Sequence, residues 1–468
     1  MLRSACKYAV LALAIGSFYL LLPLNEARAV PSYARQTGMS CTTCHTVFPE
    51  LTPFGRTFKL TGYTQSKSSK SYEFPPPISA GGQFSFTHTQ RTLPPGTAPF
   101  DSRGNDNVNV PQTLSLYYAG KIYGNFGTFT QGTYDGVANK FALDHTDVRY
   151  ARTTTLGDKG LNLIYGFTLN NNPTVQDVWN STPAISFPYV SSAIAPTPAA
   201  VTKIDNVLAL QVGGIGAYAF WNNLIYAEVA LYRTSRQGPF QFMGAGNVTE
   251  ELVDGFAPYW RLALQKNWKQ HSFALGTYGM VVRVFPDKPA ETEEGIPIPN
   301  LKRTSGPSDQ FTDIALDAQY QFIGKKHIFS AQTTWIHEIQ NRDASFDLGS
   351  AANRSNYLNT FKVNLNYWYR SGIKGLGTVG GSVGYFSTTG SRDVLLYPTE
   401  EPVSGSRNGL PNSNGFILEA DYLPWNYTKI SIQYIIYGKF NGARTNYDGL
   451  GRNAADNNTL YLNVWLIY

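Results

Sequence analysis

Cysteine is almost absent from this chain. The 468 residues hold three, Cys6, Cys41 and Cys44. Cys6 lies in a stretch that has the three parts of a secretory leader. Arg3 and Lys7 give a positive start, Ala9 to Leu22 an apolar run, and Ala27-Arg28-Ala29 a small-x-small cleavage pattern. Cys6 precedes the apolar run, so it is not placed as a lipoprotein cysteine. The exported chain keeps only Cys41 and Cys44, which excludes a disulfide framework. Long apolar runs are also missing: nothing after residue 29 has the roughly 20 consecutive apolar residues of a spanning helix. Charge is sparse, 15 % of residues with a net +6, and dispersed. That is too mild and dispersed to suggest a nucleic-acid partner, and none is expected. No GxSxG elbow, P-loop or HExxH zinc motif occurs, so hydrolase, nucleotide and zinc-protease chemistry have no support.

What cysteine there is stands in one place. Cys41-Thr-Thr-Cys44-His45 is a C-x-x-C-H sequence, the attachment pattern of a c-type haem. Two thiols one helical turn apart can add to the two vinyl groups, and the next imidazole then lies beneath the iron. A local Cys41–Cys44 disulfide or half of a zinc site are the plainer readings. Zinc needs a fourth ligand, and no second Cys/His pair follows at finger spacing. Haem attachment takes place outside the cytoplasm, in agreement with the leader.

The rest of the chain is rich in what long strands need. Aromatics make up 14 %, with 30 tyrosines to 8 tryptophans and 43 glycines. From about residue 78 the sequence alternates. Phe361, Val363, Leu365, Tyr367 and Tyr369 fall on one face, and Lys362, Asn364, Asn366, Trp368 and Arg370 on the other. Ile314, Leu316, Ala318, Tyr320 and Phe322 likewise oppose Ala315, Asp317, Gln319 and Gln321. Sixteen such segments are predicted: 80–92, 111–122, 126–135, 140–154, 159–171, 207–220, 223–233, 256–268, 271–284, 309–323, 326–340, 356–370, 376–387, 414–424, 428–440 and 457–468. Short links alternate with long ones, except at 136–139, where a long link is due and a short one occurs. An even count with this asymmetry points to an all-β, about 16-stranded antiparallel outer-membrane barrel with short turns on the periplasmic side. A soluble β-sandwich or propeller also alternates, but its loops need not. Tyr117, Tyr118, Trp221, Trp260, Trp368, Tyr369, Trp425 and Trp465 fit an interfacial aromatic girdle. The final strand ends on an aromatic, like the signal read by outer-membrane assembly machinery.

The chain therefore divides into a leader (1–29), a short, mostly helical or irregular haem segment with a Ser/Lys/Pro linker (30–77) and a transmembrane barrel (78–468). Residues 30–63 read Val30-Pro-Ser-Tyr-Ala-Arg-Gln-Thr-Gly-Met-Ser-Cys-Thr-Thr-Cys-His, then Phe48-Pro-Glu-Leu, Phe54-Gly-Arg-Thr-Phe-Lys59 and Gly62-Tyr63. This resembles the fused cytochrome–porin family, monohaem cytochromes joined to an outer-membrane barrel, some of them iron oxidases. The resemblance implies one haem c, with Cys41 and Cys44 as thioether sites and His45 as axial iron ligand. It also implies electron flow from an extracellular donor, Fe(II) being one candidate, to a periplasmic carrier such as a soluble cytochrome. The sixth ligand is open. No Met or His lies between His45 and His88, and Met39, Lys59, a barrel residue or an empty site all remain. His88, His145, His271, His327, His337, Met243 and Met280 fall in or beside strands and default to barrel roles.

Sixteen tilted strands about 4.8 Å apart enclose a backbone diameter of about 32 Å and a lumen of roughly 20 Å. A compact 48-residue unit measures about 25 Å across. The haem segment is expected to plug the periplasmic half of the lumen in an elongated form. Acidic residues in three expected outside loops (Glu250, Glu251, Asp254; Asp287, Glu291, Glu293, Glu294; Glu400, Glu401) are hard ligands that can collect Fe(II), although outside loops are also simply hydrophilic. Two other functions remain: a diffusion porin with a haem plug or sensor, and a peroxidase-like haem protein.

Overall fold

Alternation fixes the architecture. In the segment around residue 315, Ile314 and Leu316 are 43 % and 52 % exposed, whereas Asp313, Asp317, Gln319 and Gln321 are buried. Apolar side chains thus face outward and polar ones inward, the reverse of a soluble core and the arrangement a bilayer selects. The computed structural model describes residues 32–72, 76–94, 104–157, 160–234, 251–286, 292–293, 296–297, 305–371, 373 and 376–468. The leader lies outside the described residues.

Sixteen antiparallel strands close into one barrel. They are β1 (Ile78–Thr89), β2 (Asp106–Tyr123), β3 (Phe126–Asp135), β4 (Lys140–Leu156), β5 (Leu161–Asn170), β6 (Val212–Trp221), β7 (Ile225–Thr234) and β8 (Ala257–Trp268). There follow β9 (His271–Val284), β10 (Asp309–Ile323), β11 (His327–Asn341), β12 (Ser355–Arg370), β13 (Thr378–Gly390), β14 (Ser413–Trp425), β15 (Thr428–Lys439) and β16 (Thr459–Ile467). Each strand pairs with its sequence neighbours, and β1 closes on β16 with Phe84 opposite Val464. All sixteen expected segments are strands, and those at 126–135, 271–284 and 309–323 have the expected bounds. The short link at 136–139 is real and joins β3 to β4.

Two expectations about facing are corrected. Tyr118, Trp221 and Trp425 are exposed on the exterior as a girdle requires. Trp368 instead turns into the lumen and is buried against Val47 and Phe48. Trp465 also points inward, with its ring edge-on to Phe48 at 4.8 Å. Period-2 alternation cannot tell lipid from lumen once the lumen itself contains an apolar surface to cover. The second correction concerns the link between β5 and β6. Expected as a long outside loop, residues 171–211 fold into the barrel, and Asn171, Asn172, Gln176 and Trp179 are buried. The loop crosses from wall to wall. Trp179 Nε1 donates to Gln265 at 2.8 Å and Gln332 Nε2 to the Trp179 carbonyl at 3.0 Å. Farther along, Gln433 and Gln112 donate to the Val190 and Ser191 carbonyls at 3.1 and 3.0 Å. An inward loop must have its backbone groups satisfied, and the amide side chains of the lumen wall do this.

Candidate functional site

The N-terminal segment forms three short helices, α1 (Ser32–Thr37), α2 (Cys41–Cys44) and α3 (Pro53–Leu60). Pro53 opens α3 at a position where its missing N–H is not needed, and Thr52 caps it by accepting from the Gly55 N–H at 3.1 Å. The same Thr52 ties α3 to α2. Its hydroxyl donates to the Thr43 carbonyl at 2.7 Å, and its N–H donates to the Cys44 carbonyl at 2.9 Å. At Gly55 the two elements touch so closely that a Cβ would lie 2.1 Å from the Cys44 carbonyl oxygen. Only glycine permits that approach. The C-x-x-C-H turn is therefore clamped on one side by backbone.

Cys41 and Cys44 carry free, half-buried thiols one helical turn apart. Burial raises both, Cys44 to about 11, so they stay protonated at neutral pH. A protonated thiol is the form that adds across a vinyl group, whereas zinc takes thiolates. His45 leaves the turn in extended conformation, its N–H bonded to the Cys41 carbonyl at 2.8 Å. Its Nδ1 is sealed from solvent and makes no hydrogen bond. Burial lowers the ring's pKa, and the nearby Pro49 and Glu50 backbone pulls it the other way. His45 is thus neutral at physiological pH, the state that ligates a metal. Two free thiols at attachment spacing and a neutral imidazole with an unsatisfied, buried nitrogen fit a covalently bound haem.

Inward-facing barrel residues hold the segment at the short-turn end of the lumen. Arg56, buried, donates to Gln319 (3.0 Å), Gln321 (2.7 Å), Ser272 (2.6 Å) and the Leu51 carbonyl (3.0 Å). Glu50, also buried, accepts from Gln321 (2.6 Å) and Ser330 (2.9 Å). Gln321 therefore presents its oxygen to the base and its nitrogen to the acid. Burial pushes Glu50 up and pulls Arg56 down to about 9. Tyr63 donates to Asp147 on β4 at 2.7 Å, and Tyr33 donates to the Thr128 carbonyl on β3 at 2.9 Å. Neither Glu50 nor Arg56 stood out in the sequence. The signal was that they are isolated charges in the otherwise uncharged stretch 46–58, which reads as polar anchoring only once the lumen is known to be polar.

The candidate sixth ligands separate. Lys59 is committed elsewhere, donating to the Val175 and Asp177 carbonyls of the inward loop at 2.6 and 3.2 Å. Met39 lies beside α2 at the mouth, 40 % exposed. The barrel histidines do not reach the segment. His271 and His327 sit at the exterior and pair with Tyr320 and Tyr367, each at 2.8 Å. His337 pairs with Asn359 and His88 with Asp106, both toward the long-loop end. His145 Nδ1 faces Asn172 at 3.2 Å. Met280 is buried in a cluster on β9, and Met243 lies outside the described residues.

The expected iron-collecting loops are partly occupied by other partners. Glu251 pairs with Lys203 at 2.6 Å and Asp254 accepts from Ser308 at 2.8 Å. Glu250, Asp287, Glu291 and Glu294 lie outside the described residues, as does the Glu293 side chain. Among the described residues no three His, Cys, Asp or Glu side chains converge to hold a metal ion.

No family model and no curated protein matches the chain. Solved structures similar to it are outer-membrane proteins. They include the outer membrane channel DcaP of Acinetobacter baumannii (9 % identity, TM-score 0.46, 84 % of this chain and 96 % of that one). OprB of Pseudomonas putida (10 %, 0.43, 84 % and 94 %) and an anion-selective porin of Comamonas acidovorans (13 %, 0.40, 84 % and 98 %) are others. The barrel assignment rests on the strand register described above, and no function is carried over from these proteins.

Proposed function

We propose that this chain is an outer-membrane electron-transfer protein, a porin-like barrel whose periplasmic mouth is closed by a segment that carries one haem c on Cys41, Cys44 and His45. The observation that supports this most is a C-x-x-C-H turn with two free thiols, clamped at Cys44 by Gly55, whose half-buried His45 keeps an unpartnered Nδ1. A bound haem c supplies one-electron chemistry at its iron. The chain's own residues do the rest. Cys41 and Cys44 fix the group covalently, His45 offers the ligand nitrogen, and Glu50, Arg56 and Tyr63 hold the segment to the wall. The donor in this reading is an extracellular reductant such as Fe(II), and the acceptor a periplasmic carrier.

A second reading is a diffusion porin in which the segment acts as a plug. The barrel class by itself favours it, since sixteen strands enclose room for an aqueous channel. The burial of the lumen lining speaks against free diffusion. Gln319, Gln321, Ser330, Gln332, Asn366, Gln433 and Asn463 all face inward and are all buried. Expression with a cytochrome c maturation system tests the choice. The expected result is one covalent haem per folded barrel, lost in Cys41→Ser with Cys44→Ser. A folded barrel that never acquires haem contradicts it.

A further inference from the structure

The two ends of the barrel differ in charge. Among the described residues every exposed carboxylate (Asp106, Asp343, Asp347, Glu400 and Glu401) lies at the long-loop end. That end is mixed in sign, since it also exposes Arg91, Arg233, Arg283, Arg354, Arg392 and Arg407. The short-turn end, among the described residues, exposes bases and no Asp or Glu: Lys67 and Lys70 on the chain leaving the haem segment, Lys269 in the β8–β9 turn, and Lys325 and Lys326 in the β10–β11 turn. Lys70 is fixed to the rim, because its carbonyl accepts from Lys121 at 2.7 Å and the next carbonyl accepts from the Gly124 N–H at 2.8 Å. Arg370 completes this side. Half-buried, it donates to the Thr46 carbonyl, one residue beyond His45, at 3.2 Å. The C-x-x-C-H turn opens onto the same face, where Gly38, Met39 and Ser40 are exposed and the two cysteines half-exposed.

From this we infer that the short-turn face is the docking surface for a soluble, acidic-faced redox protein, which the lysine rim steers onto the edge of the Cys41–His45 turn. The inference rests on the proposed electron-transfer role and names its periplasmic partner by charge. A one-sign rim around a reaction centre raises encounter rates and orients the approach, and at low salt it adds a weak, salt-sensitive affinity. Such a rim suits a partner that must arrive, exchange one electron and leave. The interaction weakens with salt, since the screening length falls from about 30 Å at 0.01 M to about 8 Å at 0.15 M. An anionic phospholipid headgroup is the other anion in reach of this face. Arg370 bonds the residue after His45, and Lys67 and Lys70 lie on the chain that leaves the same segment, which favours the protein.

One probe in two charge states tests the inference. A basic mitochondrial-type cytochrome c is compared with the same protein succinylated, which turns its lysines into carboxylates. Full-length protein is reconstituted with the short-turn face accessible, reduced with dithionite and mixed with each form. The succinylated form is expected to be reduced at least about tenfold faster at 10 mM salt, to lose that advantage by 300 mM, and to co-sediment with the vesicles whether or not haem is loaded. Lys269→Glu, Lys325→Glu and Lys326→Glu together should reverse the preference. Equal rates for both forms, or a preference for the basic form, would overturn the inference. So would a triple variant that changes only vesicle binding by phospholipid and leaves the rate ratio intact. If dithionite itself fails to produce reduced haem bands, the electron-transfer reading falls, and the co-sedimentation arm still decides the docking face.

Discussion

Gly55 is the tightest point in the candidate site, because a methyl group there meets the carbonyl oxygen of Cys44 rather than a side chain that can move. Gly55→Ala is expected to displace α3 from the C-x-x-C-H turn at a cost of roughly 3 kcal/mol. Haem incorporation should fall while the barrel still shows its heat-modifiable shift on gels; full incorporation would show the clamp to be dispensable. Arg56 acts through four hydrogen bonds in a closed space. Arg56→Met strands Gln319, Gln321 and Ser272 and should weaken docking of the segment by roughly 3 kcal/mol. Protease cleavage near Lys67 and Lys70 reads this directly. Lys59 gives a pH signature. Its folded value is pulled by burial from 10.5 to about 8, with Asp147 and Asp177 pulling the other way. Below pH 8 it is protonated whether docked or released, so the penalty is constant. Between about 8 and 10.5 the released segment binds more protons, so docking tightens as pH rises, by up to roughly 3 kcal/mol. Protease protection should increase between about pH 8 and 9, below the point where Arg56 and Cys44 add their own effects, in the native chain, and stay flat there in Lys59→Met.

At the scale of elements, the strands were legible and the inward loop was not. Alternation at 361–370 and 309–323 depends on one constraint, apolar toward lipid and polar toward lumen; β9 departs from it, turning Tyr278, Met280, Val282 and Val284 inward beneath Ile204 and Leu208 of the loop. The loop at 171–211 obeys no period. Its inward course depends on lumen amides such as Gln265, Gln332 and Gln433, residues distant in sequence. Trp368 and Trp465 misled for a related reason: they cover Phe48 inside the mouth, a contact that exists only after the segment has docked. The motif itself was readable because its chemistry is local, two thiols and a ring within five residues. Its clamp was not, because Gly55 matters through a contact with Cys44. The loop carries its own prediction. Replacing residues 175–200 with a short Gly/Ser linker removes Trp179 and should open the barrel. Single-channel recordings are expected to show little conductance for the native chain and a large stepwise conductance for the deletion. Equal conductance in both would show that the loop does not occlude the lumen.

The whole molecule is a wall with two unlike ends. Long loops with exposed carboxylates lie at one, and a basic mouth closed by the N-terminal segment lies at the other. Polar lumen residues such as Gln321 and Gln332 are buried under the segment and the inward loop, which is why the proposed role predicts little passage of solute. The molecule's claim to a redox role is tested most directly in sealed liposomes. The full-length protein is inserted with its long loops outward and an electron acceptor is trapped inside. Fe(II) is then added outside while the haem bands, the acceptor and ion leakage are followed together. The account predicts haem reduction followed by reduction of the trapped acceptor, without ion leakage and with no signal in the Cys41→Ser, Cys44→Ser chain. Solute leakage with an unreduced acceptor would contradict it and leave a diffusion channel in its place.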